Sequence, residues 1–161
     1  MTTDTFIYTR DVALPPARMW PLLTTADMRA IWGVPDAGKT LDTVASDVRV
    51  GGVDHQRCGP ADAPEFESHT RWYHLSEPET AVYTEVIEAG GMALGASLVT
   101  LNPTPNGSGA TLNVSVTVSS FVGPEMIAEF KGGWDGSMAN LDRLIAQQSG
   151  PAPTGACQMR V

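Results

Sequence analysis

The sequence predicts an α+β fold in which a curved antiparallel sheet of about seven strands wraps on one long C-terminal helix, with two short helices after the first strand. Three observations predict it. Residues 111–118 alternate strictly, with Leu112, Val114, Val116 and Val118 set against Thr111, Asn113, Ser115 and Thr117, the period-two pattern of a strand with one buried face. Residues 124–147 carry Met126, Phe130, Trp134, Met138, Leu141 and Ile145 at steps of three and four, an apolar helical stripe. Between the first strand and that helix the chain reads as two short helices and then a series of strands and turns. An antiparallel sheet with one apolar face needs a cover, and the terminal helix is the only long amphipathic element available.

Thr5 to Leu14 is rich in β-branched and aromatic residues and reads as the first strand, ended by Pro15-Pro16. Proline is tolerated in a first helical turn, so a short helix fits Ala17 to Leu23 with Met19, Trp20 and Leu23 apolar; Pro21 keeps it short or lies in that turn. Thr24 or Thr25 caps a second helix to about Trp32, where Gly33 and Pro35 end it. Strands are expected over 40–50, 53–58, 66–75, 81–88 and 92–101, with Gly51-Gly52 a bulge or bend and Pro103 to Gly107 a turn. Gly132-Gly133 weakens the terminal helix at about 1 kcal/mol per glycine. The pair bends that helix or lets the sheet approach it. The domain is expected to occupy residues 1–147, and residues 148–161, with Pro151, Pro153 and Gly155, read as a flexible tail.

Of 161 residues, 42 % are apolar and 17 % charged, a globular composition. The formal net charge of −8 and eight scattered arginines without a basic run speak against nucleic-acid binding. No apolar stretch is long enough for a membrane helix, and Met1-Thr2-Thr3-Asp4 lacks the basic start of a signal peptide, so a cytoplasmic protein without membrane insertion is expected. Cys58 and Cys157 are two lone thiols, neither a disulfide framework nor a zinc site.

Gly59 to Pro64 is a turn-forming stretch, and a hairpin centred near Asp62 pairs Cys58 with Phe66, Gln56 with Ser68, His55 with His69 and Asp54 with Thr70. One face then carries Asp54, Gln56, Cys58, Phe66, Ser68, Thr70, Trp72 and His74; it holds the aromatics and the thiol and is assigned inward. The other carries His55, Arg57, Glu67 and His69 and is assigned to solvent. A bulge would exchange the faces locally. With Trp32, Trp134 and Met138 from the helices, the inward set describes a ligand pocket of apolar walls and a few polar groups. Asp54 is a candidate hydrogen-bond acceptor, or a general base if burial raises its pKa, with His74 the other acid/base candidate. The alternative is that Asp54, Gln56, Ser68 and Thr70 satisfy one another or meet water. His55, His69 and Glu67 are too few for a convincing metal site, and neither a metal nor a cofactor is expected. Trp20 and Trp32 are lid packing or ligand platforms.

The order of elements and several local motifs resemble the START-like helix-grip superfamily, in the branch named for the activator of the heat-shock-protein-90 ATPase. The motifs are Leu14-Pro15-Pro16-Ala17-Arg18-Met19-Trp20, Trp32-Gly33, Arg49-Val50-Gly51-Gly52 with Gly59-Pro60, Glu77-Pro78-Glu79-Thr80-Ala81-Val82-Tyr83-Thr84, and Gly133-Trp134 with Asn140-Leu141-Asp142-Arg143-Leu144. The resemblance covers about residues 5–147. It implies a central cavity for hydrophobic or amphipathic molecules, and some members are cyclases or hydrolases. Similar proteins place apolar residues after the Gly-Gly pair, where this chain has Asp54-His55-Gln56-Arg57. The leading expectation is therefore a non-catalytic binder of a small, largely apolar ligand with polar handles. A cyclase- or hydrolase-like enzyme comes second and a chaperone-related interaction module third. The protein is expected to act as a monomer or homodimer.

Overall fold

The alternation of small, β-branched and aromatic residues produces seven strands, and the two apolar helical patterns produce the layer that covers them. The computed structural model describes residues 2–34, 39–60 and 62–149. In chain order the elements are β1 (Thr2–Val12), α1 (Pro16–Thr24), α2 (Ala26–Trp32), β2 (Lys39–Ala45), β3 (Val53–Pro60), β4 (Phe66–Ser76), β5 (Thr80–Ala89), β6 (Met92–Asn106), β7 (Gly109–Ser120) and α3 (Pro124–Ser149). The sheet is antiparallel and curved, in the order β1-β7-β6-β5-β4-β3-β2. It is open, with β1 and β2 at its edges. Residues 148 and 149, expected in the tail, belong to α3, which runs to Ser149; residues 150–161, with Cys157, and Pro35 lie outside the described residues.

The inward residues of β7, Leu112, Val114, Val116 and Val118, are all at most 1 % exposed and meet Met138, Leu141 and Ile145 of α3 in one core. Burying side chains of this size stabilises by about 1.5–3 kcal/mol each, so this contact layer seats α3 on the sheet. Tyr8 of β1 donates to Asp135 of α3 at 2.7 Å and stacks on Trp134. Burial, together with this bond, raises the tyrosine pKa, while the same bond lowers that of Asp135.

Strand ends shift by a few residues from the sequence expectation, as in β1, which spans Thr2–Val12, and three further differences change how an element is read. First, α1 continues through Pro21 to Thr24. Second, β2 stops at Ala45, and residues 46–52 form a turn in which Gly52 N–H donates to Arg49 and Gly51 N–H to Trp72. A Cβ on Gly52 would lie 2.0 Å from the Asp47 carbonyl oxygen, and Gly51 has φ +84°, so the turn requires both glycines. Third, β6 runs through Pro103 and Pro105 instead of turning there. Its pairing with β5 ends at Ala81–Leu101, so beyond that point β6 has a neighbour only in β7. Prolines without N–H groups fit such a one-sided stretch.

Candidate functional site

Between the concave face of the sheet and the helices α2 and α3 lies a cavity of about 670 Å³. Small-molecule sites span about 300–1,000 Å³, so its size suits a drug-sized guest. Its apolar walls come from Trp32, Leu41, Phe66, Ile87, Leu94, Met126, Phe130 and Trp134. The polar lining includes Arg29, Gln56, Ser68, Tyr83 and Glu85. The exposed residues Glu65, Glu129 and Gly132 also border it. A Cβ at Gly132 would touch nothing within 4 Å, and with Gly133 also on the lining the glycine pair keeps side chains out of this space. The helix runs through both glycines as one element.

The first turn of the site is built by α1 and α2. A helix end leaves carbonyls without intrahelical partners, and α1 ends at Thr24. Trp32 Nε1 donates to the Leu22 carbonyl at 2.8 Å, and Arg29 donates to that of Leu23 at 3.0 Å. These two bonds fix side chains three residues apart on α2 toward the sheet. Asn140 of α3 closes the other end by donating to the Val34 carbonyl at 2.8 Å.

Arg29 is 6 % exposed, and its guanidinium lies 4.6 Å from the Tyr83 ring centroid, 5.2 Å from Trp72 and 5.4 Å from Trp32. Such cation–π contacts offset part of the cost of burying the charge. Burial alone would lower its pKa, but Tyr83, Glu85 and Asp54 outweigh it and the net shift is upward, so Arg29 is a fixed cation. The Tyr83 hydroxyl is also raised, by burial first and by Glu85, against the pull of Arg29. Glu85 accepts a 2.9 Å hydrogen bond from Ser68. Burial pushes its carboxyl above the ordinary value, opposed by Arg29 and Ser68. A half-buried acid beside a fixed cation and a tyrosine hydroxyl can accept or donate hydrogen bonds to a guest at the same point.

The β3–β4 register is the one the sequence spacing predicts, with Asp54 opposite Thr70, Gln56 opposite Ser68 and Cys58 opposite Phe66. Continued across the sheet, Asp54, Thr70, Glu85 and Ser97 form one polar row, and Gln56, Ser68, Ile87 and Gly95 the next. Of the candidate ligand contacts, Trp32, Gln56, Cys58, Phe66, Ser68 and Trp134 line the cavity. Asp54, Thr70, Trp72 and Met138 do not; all are buried, and Trp72 and Met138 belong to the core cluster. Asp54 is engaged by the Ser46 hydroxyl at 2.8 Å, the Asp47 N–H at 2.7 Å and Trp72 Nε1 at 3.2 Å. It ties the turn 46–52 to the aromatic floor. His74 is exposed on the opposite side of the sheet, because a bulge after Trp72 makes the pairing skip Tyr73 and exchanges the faces. Neither acid/base candidate therefore stands at the cavity. Trp20 is buried in the core.

Arg29, Tyr83 and Glu85 were not among the residues the sequence reading placed at the site. Around Glu85 both faces of β5 mix apolar and polar residues, Ala81, Tyr83, Glu85 and Ile87 against Val82, Thr84, Val86 and Glu88, so the pattern does not say which is inside. The inward position of Tyr83 opposite Trp72 was readable only once the register of β4 and β5 was known.

On the solvent face, His55 and His69 stack at 4.5 Å, with His55 Nε2 2.9 Å from Glu67 and His69 Nε2 3.5 Å from Glu88. No group of three or more metal-ligating side chains occurs among the described residues. No helix among them is long and apolar enough to cross a membrane.

Sheet, terminal helix and intervening cavity together define a START-like helix-grip domain. The chain belongs to the family described as Activator of Hsp90 ATPase homolog 1-like protein, whose model matches residues 13–146. Its fold is similar to that of Mll3558 from Rhizobium loti, at 22 % identity and a TM-score of 0.75 over 88 % of this chain and 96 % of that one. CV1439 from Chromobacterium violaceum is similar at 22 % identity and a TM-score of 0.76, over 91 % and 98 % of the two chains. Ms6760 from Mycobacterium smegmatis reaches a TM-score of 0.72 at 16 % identity, over 87 % and 89 %. These are likenesses of fold. No curated protein matches the sequence.

Proposed function

We propose that the protein binds a small, largely apolar molecule with polar handles in the cavity between sheet and α3. The observation that carries this reading is the cavity of about 670 Å³ whose aromatic walls end on the Arg29, Tyr83, Glu85 and Ser68 group. A filled core would have no such space, and a purely structural polar cluster would not border it. Trp32, Phe66 and Trp134 hold the apolar body, and Gln56, Ser68 and Glu85 meet its polar end. Asp54, Thr70, Trp72 and Met138 support the floor from behind.

The reading is tested with a neutral naphthalene dye, N-phenyl-naphthylamine, titrated into the purified protein. Its emission should rise on binding and tryptophan emission should fall, since Trp32 and Trp134 line the cavity. Native mass spectrometry should show a one-to-one adduct. A Trp134→Ala variant that still folds and binds the dye unchanged would refute the assignment, as would absence of binding by the intact protein.

A further inference from the structure

Charges taken out of water are tolerated when neighbouring charges balance them. Arg29 on the lining is 6 % exposed and Asp54 behind it 2 % exposed, and Glu85 also reaches the lining. One guanidinium thus stands against two carboxylates, and both act on it electrostatically. The guanidinium is already engaged by three rings, by the Leu23 carbonyl and by Tyr83. Asp54 is engaged by its three donors. Glu85 is different. Ser68 donates to its Oε2, while Oε1 receives no hydrogen bond from any described residue. Its neighbours across the sheet, Thr70 and Ser97, carry buried hydroxyls without a partner among the described residues. The remaining charged groups of the lining are Glu65 and Glu129, both carboxylates, and Lys39, which is already engaged in an interaction.

We propose that the cavity selects organic amines, the ammonium group of the guest docking on Oε1 of Glu85 and supplying the positive charge that balances the Arg29, Asp54 and Glu85 cluster. The proposal rests on the ligand-binding reading above and names the class of ligand. Burial strengthens the hold of the Glu85 carboxyl on a proton, and an ammonium ion answers the same demand. The aromatic side chains Trp32, Phe66, Phe130 and Trp134 on the lining suit both a cation and the apolar body attached to it. A carboxylate guest would instead set three negative charges against this one guanidinium.

Three probes with one body separate the possibilities: naphthyl-ethylamine, naphthyl-ethanol and naphthyl-acetate, each used to displace N-phenyl-naphthylamine. The amine should bind about tenfold or more tighter than the acetate, the low end of what a charge-assisted contact supplies, with the alcohol between. In Glu85→Gln that preference should shrink to within about threefold. Equal affinities, or tightest binding of the acetate, would overturn the amine assignment and leave the cavity reading standing. An unchanged preference in Glu85→Gln would also overturn it. If that variant does not fold, the order measured on the intact protein decides alone. Failure of the dye itself to bind strikes the cavity reading, and the amine assignment falls with it.

Discussion

Replacing Asp54 by asparagine changes one oxygen to an amino group in a site where all neighbours are donors. Oδ1 accepts from Ser46 and from the Asp47 N–H, and Oδ2 accepts from Trp72 Nε1. If the asparagine oxygen keeps the first two bonds, its amino group faces the indole N–H, donor against donor. Trp72 is 0 % exposed, so that N–H loses its acceptor with no water to replace it, at about 1–3 kcal/mol. The two surviving bonds fall from charge-assisted to neutral strength. The sum is about 3 kcal/mol. For a chain of this length each kcal/mol lowers Tm by about 2–4 °C, so Asp54→Asn should melt about 6–12 °C below the parent. Urea unfolding followed by tryptophan fluorescence gives the free energy directly, with the exposed Asp42→Asn as control. A loss for Asp54→Asn no larger than that of Asp42→Asn would refute the anchor role. A fully stable Asp54→Asn that binds no ligand would return Asp54 to the site itself.

Two further outcomes follow from the cavity. Glu85 has its carboxyl raised in the folded state, so between its ordinary 4.5 and the raised value the folded protein holds a proton that the unfolded chain has released. Stability should therefore fall as pH rises through that window and level off above it, while Glu85→Gln should lack this component; a wild-type minus variant difference that is flat with pH in urea titrations contradicts the shift. Gly132→Ala adds a methyl group where nothing lies within 4 Å and should stabilise α3 by about 0.5–1 kcal/mol, a gain that thermal unfolding would register and whose absence would mean that α3 does not pass through this position as a regular helix.

How far the site was legible can be argued from β3 and β4. Their register followed from a single turn and a period of two, and so the inward placement of Gln56, Cys58, Phe66 and Ser68 was readable from residue spacing. The same rule applied past Trp72 placed His74 on the wrong side, since one skipped residue reverses every later face and nothing in the local text marks it. Asp54 was correctly placed inward, but its partners are Ser46 and Asp47 from a turn that the sequence read as continuing strand. Whether an inward carboxylate meets a guest or a neighbouring N–H depends on atoms seven or more residues away.

The chain alone determined the class of fold, because hydrophobic periodicity and turn residues act locally and the covering helix had one sheet to cover. Which polar side chains share the cavity was decided only in three dimensions. Arg29 comes from a seven-residue helix, Tyr83 and Glu85 from a strand with two mixed faces, and Ser68 from a third element. Their meeting depends on the curvature of the sheet and on carbonyls left open at the end of α1. Those are properties of packed elements, and no single stretch of sequence contains them.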